Sequence, residues 1–380
     1  GSSAVVLEAR TVGHGASGRN GGLVSGKFRV PFHVVARRHG QETARQLYRT
    51  GKEAVECVEE LIDRHGLTRA GFSKVGYVTA AHTPAALEAQ RTALDWLRSE
   101  AGDTASRLLN ADEVAAELGT RAYVGGSLNP MAGALHPLAY VRGLAAAAAR
   151  AGIALHEDSP LVRVESGPQG IVAVTPQGQV RARRILYATN AYSTETPATA
   201  TLKTRVVPFR SAIIATAPLP PDLLRSVLPT GRVAADTKRL LRWYRVTQGR
   251  MVFGGRGSLG RDERSAAYEG LRANMAQIFP QLSGVPIEHR WSGLVAMTLD
   301  YLPHLGRLDE RSFYAVGYNG SGVAMASLLG RRLAIVGRGG DADLGLLTAR
   351  RFAPIPFYPL QAPAVRAVSA WYQMLDALGR

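Results

Sequence analysis

Residues 4–22 read AVVLEARTVGHGASGRNGG, a short β-prone apolar run that ends at a carboxylate and opens into a glycine-dense bend. The run from Ala4 to Leu7 has the content of a buried strand, and Glu8 stands where strand should give way to loop. A carboxylate at that point can accept both hydroxyls of a ribose. Gly13, Gly15, Gly18, Gly21 and Gly22 let the backbone approach a ligand and leave N–H groups free for oxyanions, with Arg19 near enough to add charge. The same residues also suit a glycine-rich surface turn after an ordinary strand, so the stretch alone leaves two readings open.

Working outward, the chain has 380 residues, enough for two domains with ample core, and its 46% hydrophobic and 20% charged content excludes extensive disorder. The net charge of +16 comes from 46 basic against 30 acidic residues. The basic residues are scattered; clusters such as Arg181, Arg183 and Arg184, or Arg331 and Arg332, are short, which argues against a nucleic-acid tail. A positive field could still draw in anionic substrates. Cys57 is the single cysteine, so an intrachain disulfide is excluded and a reducing compartment is permitted. No uncharged apolar run reaches about 18 residues, so no integral membrane segment is expected and a cytoplasmic location is.

Periodicity predicts an amphipathic helix over 41–65, stopped at Gly66, with Cys57 as a small core residue beside the apolar stripe. A strand is expected over 72–80, and helices are expected behind the caps Thr83 and Asn110. Pro137 opens an Ala-rich helix, and His136 is read as ordering the turn before it rather than as a base. Short strands follow over 153–156, 161–165, 171–175 and 180–188. Residues 206–215 and 241–254 have the content of long antiparallel strands, and 262–279 that of a covering helix. A strand at 313–316 leads through the bend Gly317–Gly322 into a helix over 323–336, and Asp300 is read as fixing a turn.

Taken in order, the LEA strand end and GASGRNGG, then GALHPLAYVRGLA (133–145), VRARRILYATNAYS (180–193), VVPFRSAIIATAPLP (206–220), the WYR and FGGR hairpin (243–256), HRWSGLVAMTLDYLPHLG (289–306) and GYNGSGVAMASLLGRRLA (317–334) resemble the D-amino-acid oxidase family of FAD-dependent oxidoreductases. The flavour is that of its gamma-glutamylputrescine oxidase-like branch. The resemblance implies an α/β (mixed α+β) fold, an FAD-binding Rossmann-like domain over 1–75, 130–200 and 300–340, and an antiparallel or mixed-sheet substrate domain over 76–129 and 201–299. A strap and helix follow over 341–380. In that family a strand, a G-x-G-x-x-G turn and a helix precede the LEA strand, about 30 residues in all. The nucleotide domain is therefore expected to be N-terminally truncated, the chain being a fragment of a longer product. A degenerate homologue that does not hold FAD and is not catalytically active is the alternative. The literal G-x-G-x-x-G strings at 13–18 and 255–260 replace nothing: the first has its acidic residue before the glycines, and the second follows a hairpin strand.

The resemblance also implies a site. FAD is expected against Glu8, Ala9, Arg10, Ala16, Ser17, Gly18, Arg19, Asn20, Gly21 and Gly22, against Leu161, Thr189, Asn190 and Ala191, and against Gly320, Ser321, Gly322 and Val323. The helix start at the last group would stabilise negative charge on the reduced ring. Neither SGLVAMTLD nor GRNGG supplies the cysteine or histidine through which some relatives attach the flavin, so binding should be non-covalent. The implied reaction oxidises a C–N bond of an amine or amino acid by hydride transfer to flavin N5, giving an imine that hydrolyses, with oxygen or another acceptor reoxidising the ring. Neither a Ser-His-Asp arrangement nor a metal is needed. Arg242, Arg256 or Arg290 could pair with a substrate carboxylate, whereas Trp243, Tyr244, Trp291, Tyr318 and Asn319 could surround a cationic amine.

Overall fold

The computed structural model of the protein describes residues 3–256, 265–348 and 352–377. The longest helix, Gln41–His65, forms where Ala44, Leu47, Ala54, Val55 and Val58 recur at helical spacing. It stops at Gly66, whose left-handed backbone turns its N–H onto the carbonyls of Ile62 and Asp63. Helix Pro84–Ala101 starts behind Thr83, whose hydroxyl accepts from the Ala86 N–H. Asn110 and Glu113 form a reciprocal capping box at the head of Ala111–Leu118. His136 Nδ1 accepts from the Ala139 N–H, ordering the turn into Pro137–Arg150, and Asp300 accepts from the Leu302 N–H. Cys57 is buried in the core, and that burial pushes its thiol up from the ordinary range.

Eight strands form one mixed sheet in the order Ile287–Met297, Val207–Thr216, Arg250–Arg256, Arg242–Thr247, Val233–Asp236, Tyr77–Ala81, Gly125–Asn129 and Arg107–Asn110. All neighbours run antiparallel except Val233–Asp236 beside Tyr77–Ala81. Val5–Leu7 pairs in parallel with Ala154–His156, and Ile185–Tyr187 pairs in parallel with Ser312–Val316. These strands lie where the sequence places them, in two separate small sheets.

Two expected elements differ. The strand expected from residue 72 is confined to Tyr77–Ala81, because Gly76 takes φ +84° and interrupts the extended backbone. The 180–188 run splits into Gln179–Ala182 and Ile185–Tyr187, which join different sheets. The WYR and FGGR hairpin expected over 243–256 is present, turning through Gln248 and Gly249, both at positive φ as a type I′ turn requires. The covering helix is described from Ser265 to Ile278; residues 262–264, and the 257–260 part of the second glycine string, lie outside the described residues.

Two large cores result. One gathers the helices Gln41–His65 and Gly322–Gly337 with Leu135, Tyr140 and Phe313, and it includes Trp96, which stacks on Phe32 at 5.8 Å. The other lies under the large sheet, where Tyr244 stacks on Phe253 and meets Phe279 edge-on.

Candidate functional site

Between these layers opens a cavity of about 3400 Å³. Its walls take in the end of the first strand at Glu8, Ala9 and Arg10, and the bend residues Ala16, Ser17, Arg19, Asn20 and Gly21. Leu161, Thr189, Asn190 and the second bend from Asn319 to Val323 complete that side. The two glycine bends, some three hundred residues apart in sequence, therefore face one space. Hydrogen bonds lock them there. Trp291 Nε1 donates to the Arg19 carbonyl (2.9 Å), and Arg19 Nη1 donates to the Ser292 carbonyl (3.2 Å). Arg245 Nη1 reaches from the sheet to the carbonyls of Gly21 (3.2 Å) and Leu135 (2.8 Å). On the other side Asn190 Oδ1 accepts from the Gly317 N–H, and Asn319 Oδ1 accepts from the Thr298 N–H. Asn319 reaches the wall, but its amide is spent pinning this loop.

Not every residue singled out in the sequence meets the cavity. Gly18 and Gly22 turn inward, where a Cβ would run into the carbonyls of Gly13 and Leu135, and Ala191 is fully buried in a small apolar core. The Leu161 carbonyl is taken by the Thr196 hydroxyl. Trp243 lines the cavity, its indole lying over Gly21 and Gly254, and Tyr318 lines it while donating to the Ala315 carbonyl. Tyr244 points to the opposite face of its strand and is core, donating to Tyr123. Trp291 serves the Arg19 carbonyl, and Arg290 is exposed and bonds the Ile287 carbonyl. Arg242 sits behind the wall, its Nε 3.7 Å from Asp236 Oδ2. The side chain of Arg256 lies outside the described residues.

The walls fit a dinucleotide. Ser321 is the residue that should cap helix Gly322–Gly337, yet its hydroxyl donates to the Lys27 carbonyl (2.5 Å), so no side chain caps the first-turn N–H groups of Gly322 and Val323. A Cβ on Gly320 would have nothing within 4 Å, and one on Gly322 only the Tyr318 Cβ at 3.8 Å: both glycines leave open space on the cavity side. Uncapped N–H groups and a positive helix end suit a negatively charged ligand group. Glu8 completes the other end, with Oε1 held by the Arg10 N–H (3.0 Å).

A polar patch that sequence reading missed lies on the same cavity: Lys27, Tyr77, Thr79 and Asp236. Lys27 follows Gly26, whose backbone crosses Gly51 of the long helix so closely that a Cβ on either glycine would strike the other's carbonyl. Desolvation by the surrounding walls, aided by the Arg29 charge, pulls the Lys27 ammonium down to about 8. Asp236 is 1% exposed; its Oδ1 accepts from the N–H groups of Lys238 and Arg242, while Oδ2 has no hydrogen-bond partner. Burial pushes its carboxyl up to about 6. The sole sequence signal was position: Lys27 lies in the loop that continues the first glycine bend. Among the described residues no group of three or more His, Cys, Asp or Glu could hold a metal, and no helix is long and apolar enough to cross a membrane.

Residues 1–334 match the family described as FAD dependent oxidoreductase, DAO. The chain is 33% identical to the gamma-glutamylputrescine oxidoreductase of Escherichia coli (strain K12), over 99% of this chain and 87% of that one. Among solved structures, glycine oxidase from Geobacillus kaustophilus superposes with a TM-score of 0.72 at 22% identity, covering 91% of each chain. L-proline dehydrogenase from P. horikoshii gives 0.73 at 20% identity, covering 89% of this chain and 87% of that one. At those identities the two structures speak for the fold.

Proposed function

The chain belongs to the FAD dependent oxidoreductase family, DAO, and on that premise we propose that it oxidises the carbon–nitrogen bond of an amine or amino acid, with FAD held non-covalently. The observation that carries this reading is the convergence of the Glu8–Gly21 and Asn319–Val323 segments on one cavity with a polar far wall. Bound FAD supplies the hydride acceptor for the C–H bond beside nitrogen, after which the imine hydrolyses in water. In this reading Glu8, on the cavity wall, accepts ribose hydroxyls, and the uncapped N–H groups of Gly322 and Val323 neutralise negative charge at the other end. Trp243 and Tyr318 supply apolar wall that orients the amine and displaces water.

In the same reading residues 1–75, 130–200 and 300–340 serve the cofactor, 76–129 and 201–299 serve the substrate, and 341–380 form a strap. The gamma-glutamyl amine class is the leading substrate group, by likeness to the E. coli relative. Oxygen is the proposed acceptor and the cytoplasm the proposed location, checked by reoxidation in air-saturated buffer and by cell fractionation. The decisive experiment is anaerobic: flavin absorbance at about one per chain should bleach on addition of a primary or secondary amine. Absence of bleaching across a broad panel of amines and amino acids overturns the proposal.

A further inference from the structure

Resting on that reading, we propose that Lys27 and Arg29 are the specificity determinants of the site, a cation pair that takes the carboxylate of an amine substrate. Phe28, between them, is buried in the helical core, while both neighbours are exposed to the cavity and line it. Lys27 Nζ lies 3.4 Å from Thr79 Oγ1 and 5.7 Å from the centre of the Tyr77 ring; the Arg29 guanidinium lies 5.8 Å from the centre of the Tyr301 ring. Among the described residues no carboxylate comes within 4 Å of either cation, although Asp236 stands on the same cavity and is engaged with Arg242 instead. Two like charges thus face a deep space with only a hydroxyl and aromatic faces for company. That arrangement raises the energy of the ligand-free cavity, and an anion entering it relieves the repulsion.

The position fits the chemistry. The Lys27 carbonyl is bonded by Ser321 at the head of the Gly322–Gly337 helix, so the cation pair is tied to the second glycine bend, while the Lys27 side chain leans toward Tyr77 and Thr79 of the large sheet and that of Arg29 toward Tyr301. A carboxylate held there keeps the rest of the substrate in the space between sheet and bend. The three arginines first considered for this role are placed elsewhere or lie outside the described side chains.

The test uses glutarate, a carboxylate with no amine to oxidise, titrated calorimetrically into the flavin-loaded protein and into the Lys27→Met and Lys27→Arg variants. Saturable binding should weaken about tenfold or more in Lys27→Met, the usual effect of losing a charge-assisted hydrogen bond, and largely return in Lys27→Arg. In parallel, for any carboxylate-bearing amine that bleaches the flavin, the kcat/KM preference over its carboxamide should fall by a similar factor, through KM rather than kcat. No saturable glutarate binding to the parent protein, binding unchanged by Lys27→Met, or an equal loss for amine and carboxamide overturns the proposal. Glutarate held through Lys27 in a protein whose flavin no amine bleaches would sustain the anion site and sink the oxidation reading.

Discussion

Asp236 carries a carboxylate with one oxygen unsatisfied in a nearly water-free setting, and the consequence is a pH-dependent cost to folding. Its folded-state pKa, about 6, lies above the unfolded value of 3.8, so the folded state favours the neutral acid. The charged form therefore opposes folding: the penalty is complete above pH 6, shrinks as pH falls, and is lost below 3.8, where both states are protonated. Asp236→Asn retains an acceptor for the two backbone N–H groups and should raise stability at pH 8 by about 2 kcal/mol, with the gain vanishing near pH 3. Thermal melts of both proteins at the two pH values check this; a gain that is equal at pH 8 and pH 3 contradicts it. Nothing in the sequence marked Asp236 or Lys27, because neither belongs to a spacing pattern and their surroundings come from segments far apart in the chain. Strand parity gave more: it put Trp243 opposite Arg242 and Tyr244. It could not say which face was the cavity, since a period of two fixes alternation and not direction.

At the scale of elements, the loop carrying Lys27 owes its position to the backbone crossing of Gly26 over Gly51. A methyl group at residue 51 would meet the Gly26 carbonyl, which is backbone and cannot swing aside. Gly51→Ala should therefore destabilise the protein by about 1–3 kcal/mol despite its better helix propensity, and should weaken glutarate binding by shifting Lys27. Urea unfolding measures the first effect; an unchanged or higher midpoint contradicts the close packing described. The helix holding Gly51 was legible to its last residue, because apolar spacing and a terminal glycine are local signals. The crossing partner was not, since a glycine inside a helix announces a close approach without naming what approaches. The long 180–188 strand failed for the complementary reason: local β propensity cannot register that Ile185–Tyr187 pairs with Ser312–Val316 while Gln179–Ala182 pairs within a local meander.

For the whole molecule, the mixed fold and the family were carried by the order of motif blocks, and the cavity joins pieces from both ends of the chain. The central claim is that its two glycine bends grip one FAD. The direct measurement is FAD affinity, by flavin fluorescence titration, for the parent protein, Glu8→Ala and Gly322→Leu. Gly322 has ordinary backbone angles and space around its Cβ, so leucine there should fold yet crowd the cavity beside the helix start. One FAD per chain, bound about tenfold or more weakly by each variant, is the predicted result. Saturable binding that either substitution leaves untouched would mean that one bend does not touch the cofactor, and would contradict the account.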